Sequence, residues 1–326
     1  MRRKREEGAA LLAVLLLVAL IATLAALAVD RLGLATHMAG NARAIDQAHE
    51  YALGAEAFVT LVVDDLTDRR SRAIPLPAGW REEVRTIPIE GGMIRMRITD
   101  GSNCFNINSV VDGNVLTGWK ARPQGMERLL TLLEITGVTE AQARPVVAAI
   151  TDWIDSDTIP QPGGAEDQAY GNAVIPHRPA DTLMADPTEL RAVAGMTPDI
   201  YARLRPWICA LPISDLSLLN VNTIQPEQAP LIAMQYSGRL GLTQATALLR
   251  ARPPGGWTTL QQYHQMPQIN ALSTATGLFN DIDVKTRWFM LDLDVTLDGA
   301  QVRERALIDG GIAPARVVMR RWGDGE

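Results

Sequence analysis

Residues 1–30 read MRRKREEGAALLAVLLLVALIATLAALAVD, and the uncharged run Ala9–Val29 within them decides the architecture of the whole chain. As a helix that run is roughly 32 Å long at about 1.5 Å per residue, matching a bilayer's hydrocarbon core of about 30 Å. Arg2, Arg3, Lys4 and Arg5 precede it and Asp30 follows it, so the positive-inside rule puts the amino terminus in the cytoplasm and the remainder outside. A cleaved secretory signal has a shorter apolar region that ends at a small-residue cleavage site. Here the run leads straight on: Ala35–Asp65 has no proline, and apolar residues recur at helical spacing at Ala48, Ala52, Ala55, Val59 and Val62. The expectation is one long helix, half in lipid and half packed on a globular domain.

Beyond it, residues 66–92 hold Arg69, Arg70, Arg72, Pro75, Pro77, Gly79, Pro88, Gly91 and Gly92, a connector with room for short strands. MIRMRITD (93–100) alternates as a half-buried strand does, and GSNCFNINSV (101–110) reads as an Asn-rich loop. From about 126 to 270 the pattern is helical. Three places there, ITGVTEAQA (135–143), VAGMTPDIYA (193–202) and LGLTQATA (240–247), set a Gly just ahead of a Thr able to cap the next helix. With LNVNTIQPEQAPLIAM (219–234) and WTTLQQYHQM (257–266), they look like helix-hairpin-helix units. TRWFMLDLDVT (286–296), QVRERALI (301–308) and RVVMRR (316–321) alternate again, and LDGAQ between the first two makes a hairpin turn. The class is α+β: a long helix on a small antiparallel sheet, with a large all-α insertion between its strands.

Composition narrows the function. Lys and Arg number 31 against 37 Asp and Glu, a net charge of −6 with pI near 5.4, in a chain of 326 residues that is 47% apolar. Nucleic acid is a poor partner for such a surface, and no Lys/Arg cluster flanks the hairpin glycines, so those hairpins read as scaffold. GxSxG, HExxH, Walker A and GxGxxG are all missing, and His37, His49, His177 and His264 stand in no ligand spacing. The reading is non-enzymatic.

The acidic loop TDWIDSDTIPQPGGAEDQAYG (151–171) lies in a stretch, 145–177, without Lys or Arg, and gathers Asp152, Asp155, Asp157, Glu166 and Asp167. Uncompensated carboxylates call for solvation or a hard cation, and oxygen-only ligands suit Ca²⁺. An EF-hand from Asp155 fails, because Ile159 and Pro160 fill the places of a ligand and the Gly. From the residues alone, an acidic surface loop and a calcium site both stand. Cys104 and Cys209, the two cysteines, flank most of the helical block. In an oxidising compartment a bridge between them would clamp the block to the sheet; two buried thiols are the alternative.

The basic leader ending in Gly8 and abutting the apolar run resembles the processing signal of type IV pilins and type II secretion pseudopilins. The resemblance implies cleavage by prepilin peptidase after Gly8, leaving Ala9 as the first mature residue. Pseudopilins mostly carry Phe or Met, then Glu, where this chain has Ala9 and Ala13, and loss of that Glu marks the K-type minor subunit. Its order of long helix, strand, helical insertion and closing strands is similar throughout. The division implied is a leader 1–8, a transmembrane helix 9–29, helix and first strand 30–110, an insertion 111–282 and closing strands 283–326. Also implied are a place at the pseudopilus tip, I-type, J-type and major pseudopilins as partners, an inner-membrane anchor with a periplasmic domain, and no nucleic-acid partner. K-type subunits carry a similar W-x-D-x-D…G-x-E-D…Y calcium region, matched here by Trp153, Asp155, Asp157, Gly164, Glu166, Asp167 and Tyr170. Two other readings remain: a membrane-anchored helix-hairpin-helix DNA receptor, and a signal-anchored periplasmic calcium-binding protein outside secretion.

Overall fold

The computed structural model describes residues 2–67, 83–172, 175–272 and 281–323. The connector positions Arg69, Arg70, Arg72, Pro75, Pro77 and Gly79 lie outside them. Helix α1 (Arg2–Thr67) is unbroken over 66 residues, about 100 Å by its rise. From Leu11 to Val29 its large apolar side chains are all more than half exposed. Burial starts at Ala44 and runs through Ala48, Ala52, Ala55, Val59 and Val63. The stripe thus ends on Val63, with the expected Val62 half-buried, because a four-residue step from Val59 stays closer to the sheet-facing side. Small residues on this face let the helix backbone lie close to the sheet.

The sheet holds β1 (Arg85–Ile89), β2 (Gly92–Asp100), β3 (Trp288–Leu297), β4 (Ala300–Asp309) and β5 (Arg316–Trp322), antiparallel and in that order. Alternation does what it predicts: Ile94, Met96, Ile98, Leu291, Leu293, Val295, Val302, Ala306 and Ile308 face α1 and form one core with its stripe. The β3–β4 turn is the two-residue loop Asp298–Gly299, both at positive φ (47° and 85°), the twist that a tight hairpin needs. A charged cluster lies beneath this helix, its carboxylates buried and its arginine partly exposed. Arg320 of β5 donates through Nε to Glu56 of α1 at 2.7 Å and stands 3.3 Å from Glu304 of β4, both carboxyls being buried.

Between β2 and β3 the chain makes its long excursion. Although β2 ends at Asp100 and β3 begins at Trp288, the strands are paired directly, Ile94 opposite Val295 and Ile98 opposite Leu291. The excursion has its own core, from Phe105 to Val284. Its helices include α2 (Pro123–Ile135), α3 (Glu140–Ile154), α4 (Asp167–Gly171), α5 (Pro198–Leu204), α6 (Ala229–Gln235) and α7 (Leu242–Arg250).

Segment 101–110, read as an Asn-rich loop, is packed into the interior and carries a short strand and a 3-10 turn. Phe105, Ile107 and Val110 are buried, and so are Asn106 and Asn108. A hairpin, Val111–Asn114 with Gly118–Ala121, follows where no strand was expected. Its Gly113 (φ 131°) sits so near the partner strand that a Cβ would lie 2.1 Å from the Gly118 carbonyl oxygen, and a glycine-rich pair of this kind carries no alternation to read.

Candidate metal centre and the neck of the insertion

Two of the three Gly–Thr devices place their residues as expected, and one of them caps in full. Gly137 (φ 89°) and Gly195 (φ 77°) turn the chain, and Thr139 and Thr197 stand at the N-cap positions of α3 and α5; Thr197 accepts from Ile200 N–H, whereas Thr139 donates to Gln142 and makes no side-chain cap bond. The third differs: Gly241 is itself the N-cap of α7, Thr243 lies inside the helix, and Ser237 and Gly238 make the turn. The first two turns interlock, since Arg203 of α5 donates to the Thr136 carbonyl while Val146 of α3 sits against Gly195. Their glycine faces are spent on packing.

Helix α3 delivers the acidic loop. Asp152, near its end, is fully buried and accepts from Gln161 N–H (2.9 Å) and Ala165 N–H (2.7 Å), folding the loop back over the helix terminus. Gly164 is required by this fold, because a Cβ would stand 1.9 Å from Asp152 Oδ2. With both oxygens committed, Asp152 shapes the loop and stays out of the carboxylate cluster that it helps to build.

That cluster is Asp155, Asp157 and Glu166, each offering an oxygen within 4.8 Å of the others. Asp155 is 0% exposed, and neither of its oxygens takes a hydrogen bond from the described residues; Glu166 is 9% exposed with Oε1 equally unserved. Asp157 lies at the surface, accepting from Ile159 N–H at 2.8 Å. Burial first, then the charges of Asp157, Asp152, Glu166 and Asp181, push the Asp155 carboxyl up to about 7. Burial and the neighbouring Asp152, Asp181, Asp157 and Asp167 do the same to Glu166, also to about 7. Asp167 is exposed as the first residue of α4 and is not drawn into the cluster. Asp181, beyond the reach of a local motif, joins the field from a left-handed turn (φ 51°) held by its N–H on the Trp153 carbonyl. Trp153 and Tyr170 of the motif are packing residues, their rings edge-on at 5.3 Å.

A buried carboxylate with two bare oxygens beside two more is costly unless protonated or metal-bound. The donor set, oxygen only and flexible in number, fits a hard divalent cation.

The neck joining insertion and sheet is built from a feature that sequence pattern alone did not single out. N-x-N occurs twice, at Asn106–Asn108 and Asn220–Asn222. In each copy the first Asn accepts from the N–H of the second, at 3.2 and 2.9 Å. The second then grips a distant peptide on both sides: Asn108 takes Met184 N–H and donates to its carbonyl, and Asn222 does the same at Trp257. Each copy also begins with a short parallel pairing, Phe105–Asn106 to Ile208–Cys209 and Leu219–Asn220 to Ile282–Asp283. The insertion is thus two halves of one plan. Cys104 and Cys209 are joined in a disulfide, Cα atoms 5.7 Å apart, beside the first pairing. Gly8 and Ala9 fall within the backbone of α1.

A long helix with an apolar head, docked by a small-residue stripe on an antiparallel sheet, is the architecture of a pseudopilin, here enlarged by a two-part helical insertion. Models of type II secretion system protein K match residues 103–213 and 219–285. Relatives described as type II secretion system protein K include one from Pectobacterium carotovorum, 34% identical over 98% of both chains. Another, from Aeromonas hydrophila, is 35% identical over 99% of this chain and 98% of that one. The structure is similar to a chain of the GspK–GspI–GspJ complex from enterotoxigenic Escherichia coli, with TM-score 0.74, 25% identity, and 86% and 97% of the two chains covered. The chain belongs to the type II secretion system protein K family.

Proposed function

We propose that this protein is the tip subunit of a type II secretion pseudopilus, a non-enzymatic part that starts fibre assembly and supports export of folded proteins. The observation that carries the reading is the helical insertion: about as large as a domain, it hangs from the sheet of an otherwise slender pseudopilin and obstructs stacking of a further subunit above. Ala13 agrees, since a subunit with nothing above it has no neighbouring amine for a lipid-buried carboxylate. The helix Ala9–Val29 holds the precursor in the inner membrane, amino terminus in the cytoplasm, and packs on other pseudopilins through small residues such as Ala19, Ala22 and Ala26. I-type and J-type minor pseudopilins are its partners, by analogy with GspI and GspJ, which accompany GspK in the similar complex, and the major pseudopilin continues the fibre.

Coexpression of the full chain with the I- and J-type subunits of its own system tests this. A stable complex with one copy of each, this chain at one end, is expected; failure to associate overturns the tip reading. Coexpression with an active prepilin peptidase is expected to yield an intact mass beginning at Ala9, and an uncut Met1 chain would remove the pilin-type processing.

The acidic loop is proposed as a Ca²⁺ site held by Asp155, Asp157 and Glu166. The ion, when bound, supplies the positive charge that lets these crowded carboxylates, two of them buried, ionise together. What supports it is the pair of unserved, fully buried Asp155 oxygens.

A further inference from the structure

At the tip of the hairpin formed by Val111–Asn114 and Gly118–Ala121, Val115 and Leu116 are 88% and 97% exposed. No large apolar side chain among the described residues stands further into solvent, the membrane-spanning part of α1 included. The turn that presents them is fixed, because Asn114 accepts from Leu116 N–H at 2.9 Å and from Thr117 N–H at 3.1 Å. The tip also adjoins the acidic loop. Ser156 donates its N–H to the Trp119 carbonyl at 3.0 Å and accepts from Trp119 N–H through Oγ at 3.0 Å. Trp119 pairs with Gly113, one step before the turn, while Ser156 stands in sequence between Asp155 and Asp157. The candidate cation site and the apolar tip are therefore neighbours. A third aliphatic side chain, Ile159, is 72% exposed on the acidic loop itself, its N–H held by Asp157.

The insertion leaves the sheet at the end remote from the membrane-spanning segment. Gly310 lies against Val63 and Thr67, at the close of α1, and against Phe289. Phe289 is paired with Asp100, where the chain departs from β2. That end of α1 is about 57 Å beyond Val29 along the helix, at about 1.5 Å per residue. A surface met by the insertion is thus distinct from the bilayer that holds the helix.

We propose that Val115 and Leu116 insert into a second bilayer, one that bears anionic phospholipid, when the acidic loop holds a divalent cation that bridges to a headgroup phosphate. The inference rests on the reading of Asp155, Asp157 and Glu166 as a Ca²⁺ site. Three carboxylates leave part of a shell of about six to eight oxygens open to phosphate. Without the ion, the same carboxylates repel an anionic surface. Area selects lipid over a protein partner, since two aliphatic side chains supply a small part of the roughly 800 Å² that each side brings to a stable protein interface. The flanks agree: Asp112, Thr117 and Lys120 are exposed polar groups, which a headgroup layer solvates while the aliphatic pair reaches past it.

The test carries the full chain in phosphatidylcholine nanodiscs and passes them over supported bilayers of phosphatidylcholine and phosphatidylglycerol in equal parts. Retention that requires Ca²⁺ and is reversed by EDTA is expected, with none for protein-free nanodiscs or on phosphatidylcholine alone. Val115→Ser with Leu116→Ser is expected to weaken retention about tenfold, while leaving the melting temperature and its rise with Ca²⁺ unchanged, since both side chains are in solvent. The melting temperature of the nanodiscs with and without Ca²⁺, away from any bilayer, reads the cation site by itself. If Ca²⁺ does not move it, the cation reading fails and this inference falls with it. If Ca²⁺ raises it and retention is missing, indifferent to Ca²⁺, or untouched by the tip substitutions, this inference alone is overturned. Loss of the complex with the I- and J-type subunits on the same substitutions, without retention on lipid, overturns it too and assigns the tip to a protein contact.

Discussion

Asp155 and Asp152 sit three residues apart on the same helix end and have opposite tasks. Asp152 is satisfied twice by loop amides, whereas Asp155 has burial and no donor among the described residues. That contrast sets a prediction with two signs. In EDTA, Asp155→Asn is expected to raise the melting temperature, because it removes a buried unpaired charge. In the wild type, calcium at a hundred times its Kd adds about 2.7 kcal/mol, or roughly 5–10 °C for a domain of this size. Asp155→Asn and Glu166→Gln are expected to erase that calcium shift, and a shift that survives both by differential scanning fluorimetry refutes the site. At the neck, Asn108→Ala strips three hydrogen bonds from buried peptides and is expected to cost about 2–4 kcal/mol in urea unfolding. The ligand cluster was legible in part, since Asp155, Asp157 and Glu166 stand out in a cation-free stretch. Asp152 was not separable from them, because composition records a carboxylate and not the amides aimed at it. The asparagines were legible only as a repeated N-x-N, whose meaning depends on partners such as Trp257, 35 residues from Asn222, and Leu211, 103 residues from Asn108.

Among the elements, α1 and the sheet show how much periodicity delivers. The stripe from Ala48 to Val59 and the alternation of β2, β3 and β4 were readable because burial on one side imposes a period. The buried cluster Glu56–Arg320–Glu304 has no such period and was invisible. Burial, then Glu56, push Glu304 up to about 8, while Glu56 is held below the usual carboxylate range because its bond to Arg320 and its contact with Glu304 outweigh burial. At neutral pH the proton of the pair resides on Glu304. The folded state therefore binds a proton there that the unfolded chain has released above about 4.5, so this contribution to stability is complete below that pH and is lost as pH rises through about 8. Glu304→Gln is expected to flatten the fall in melting temperature between about pH 5 and 8, measured with calcium present, and to be more stable than wild type at pH 8. An unchanged slope would show that Glu304 does not carry the proton.

At the scale of the molecule, the insertion and the sheet have separate main cores, and a small apolar cluster of Leu211, Trp288 and Leu307 packs one against the other beside the neck and its disulfide. The bridge closes a loop spanning 105 residues, worth about 4–5 kcal/mol in the chain-entropy model. Replacing both cysteines by Ser is expected to lower the melting temperature of the insertion and leave the α1–sheet contact formed, which hydrogen exchange at β3 and β4 can follow. Equal loss of protection in both cores would show that they unfold as one. The order of parts was legible because helix and strand periods alternate along the chain, and the separation of the cores was not, since it depends on which buried faces meet.

The direct pairing of β2 with β3 also sets a timetable. Ribosomes complete α1 long before the strands that cover it, and at about 5–20 residues per second the stripe Ala48–Val63 waits for tens of seconds before β3 and β4 exist. During that interval the helix presents an uncovered small-residue face, and the five-stranded sheet can close only after the two-part insertion has drawn its ends together. The native state is thus gated by the synthesis of β3, β4 and β5, and a nascent chain arrested before β3 leaves a helix with an unfilled seat for a sheet.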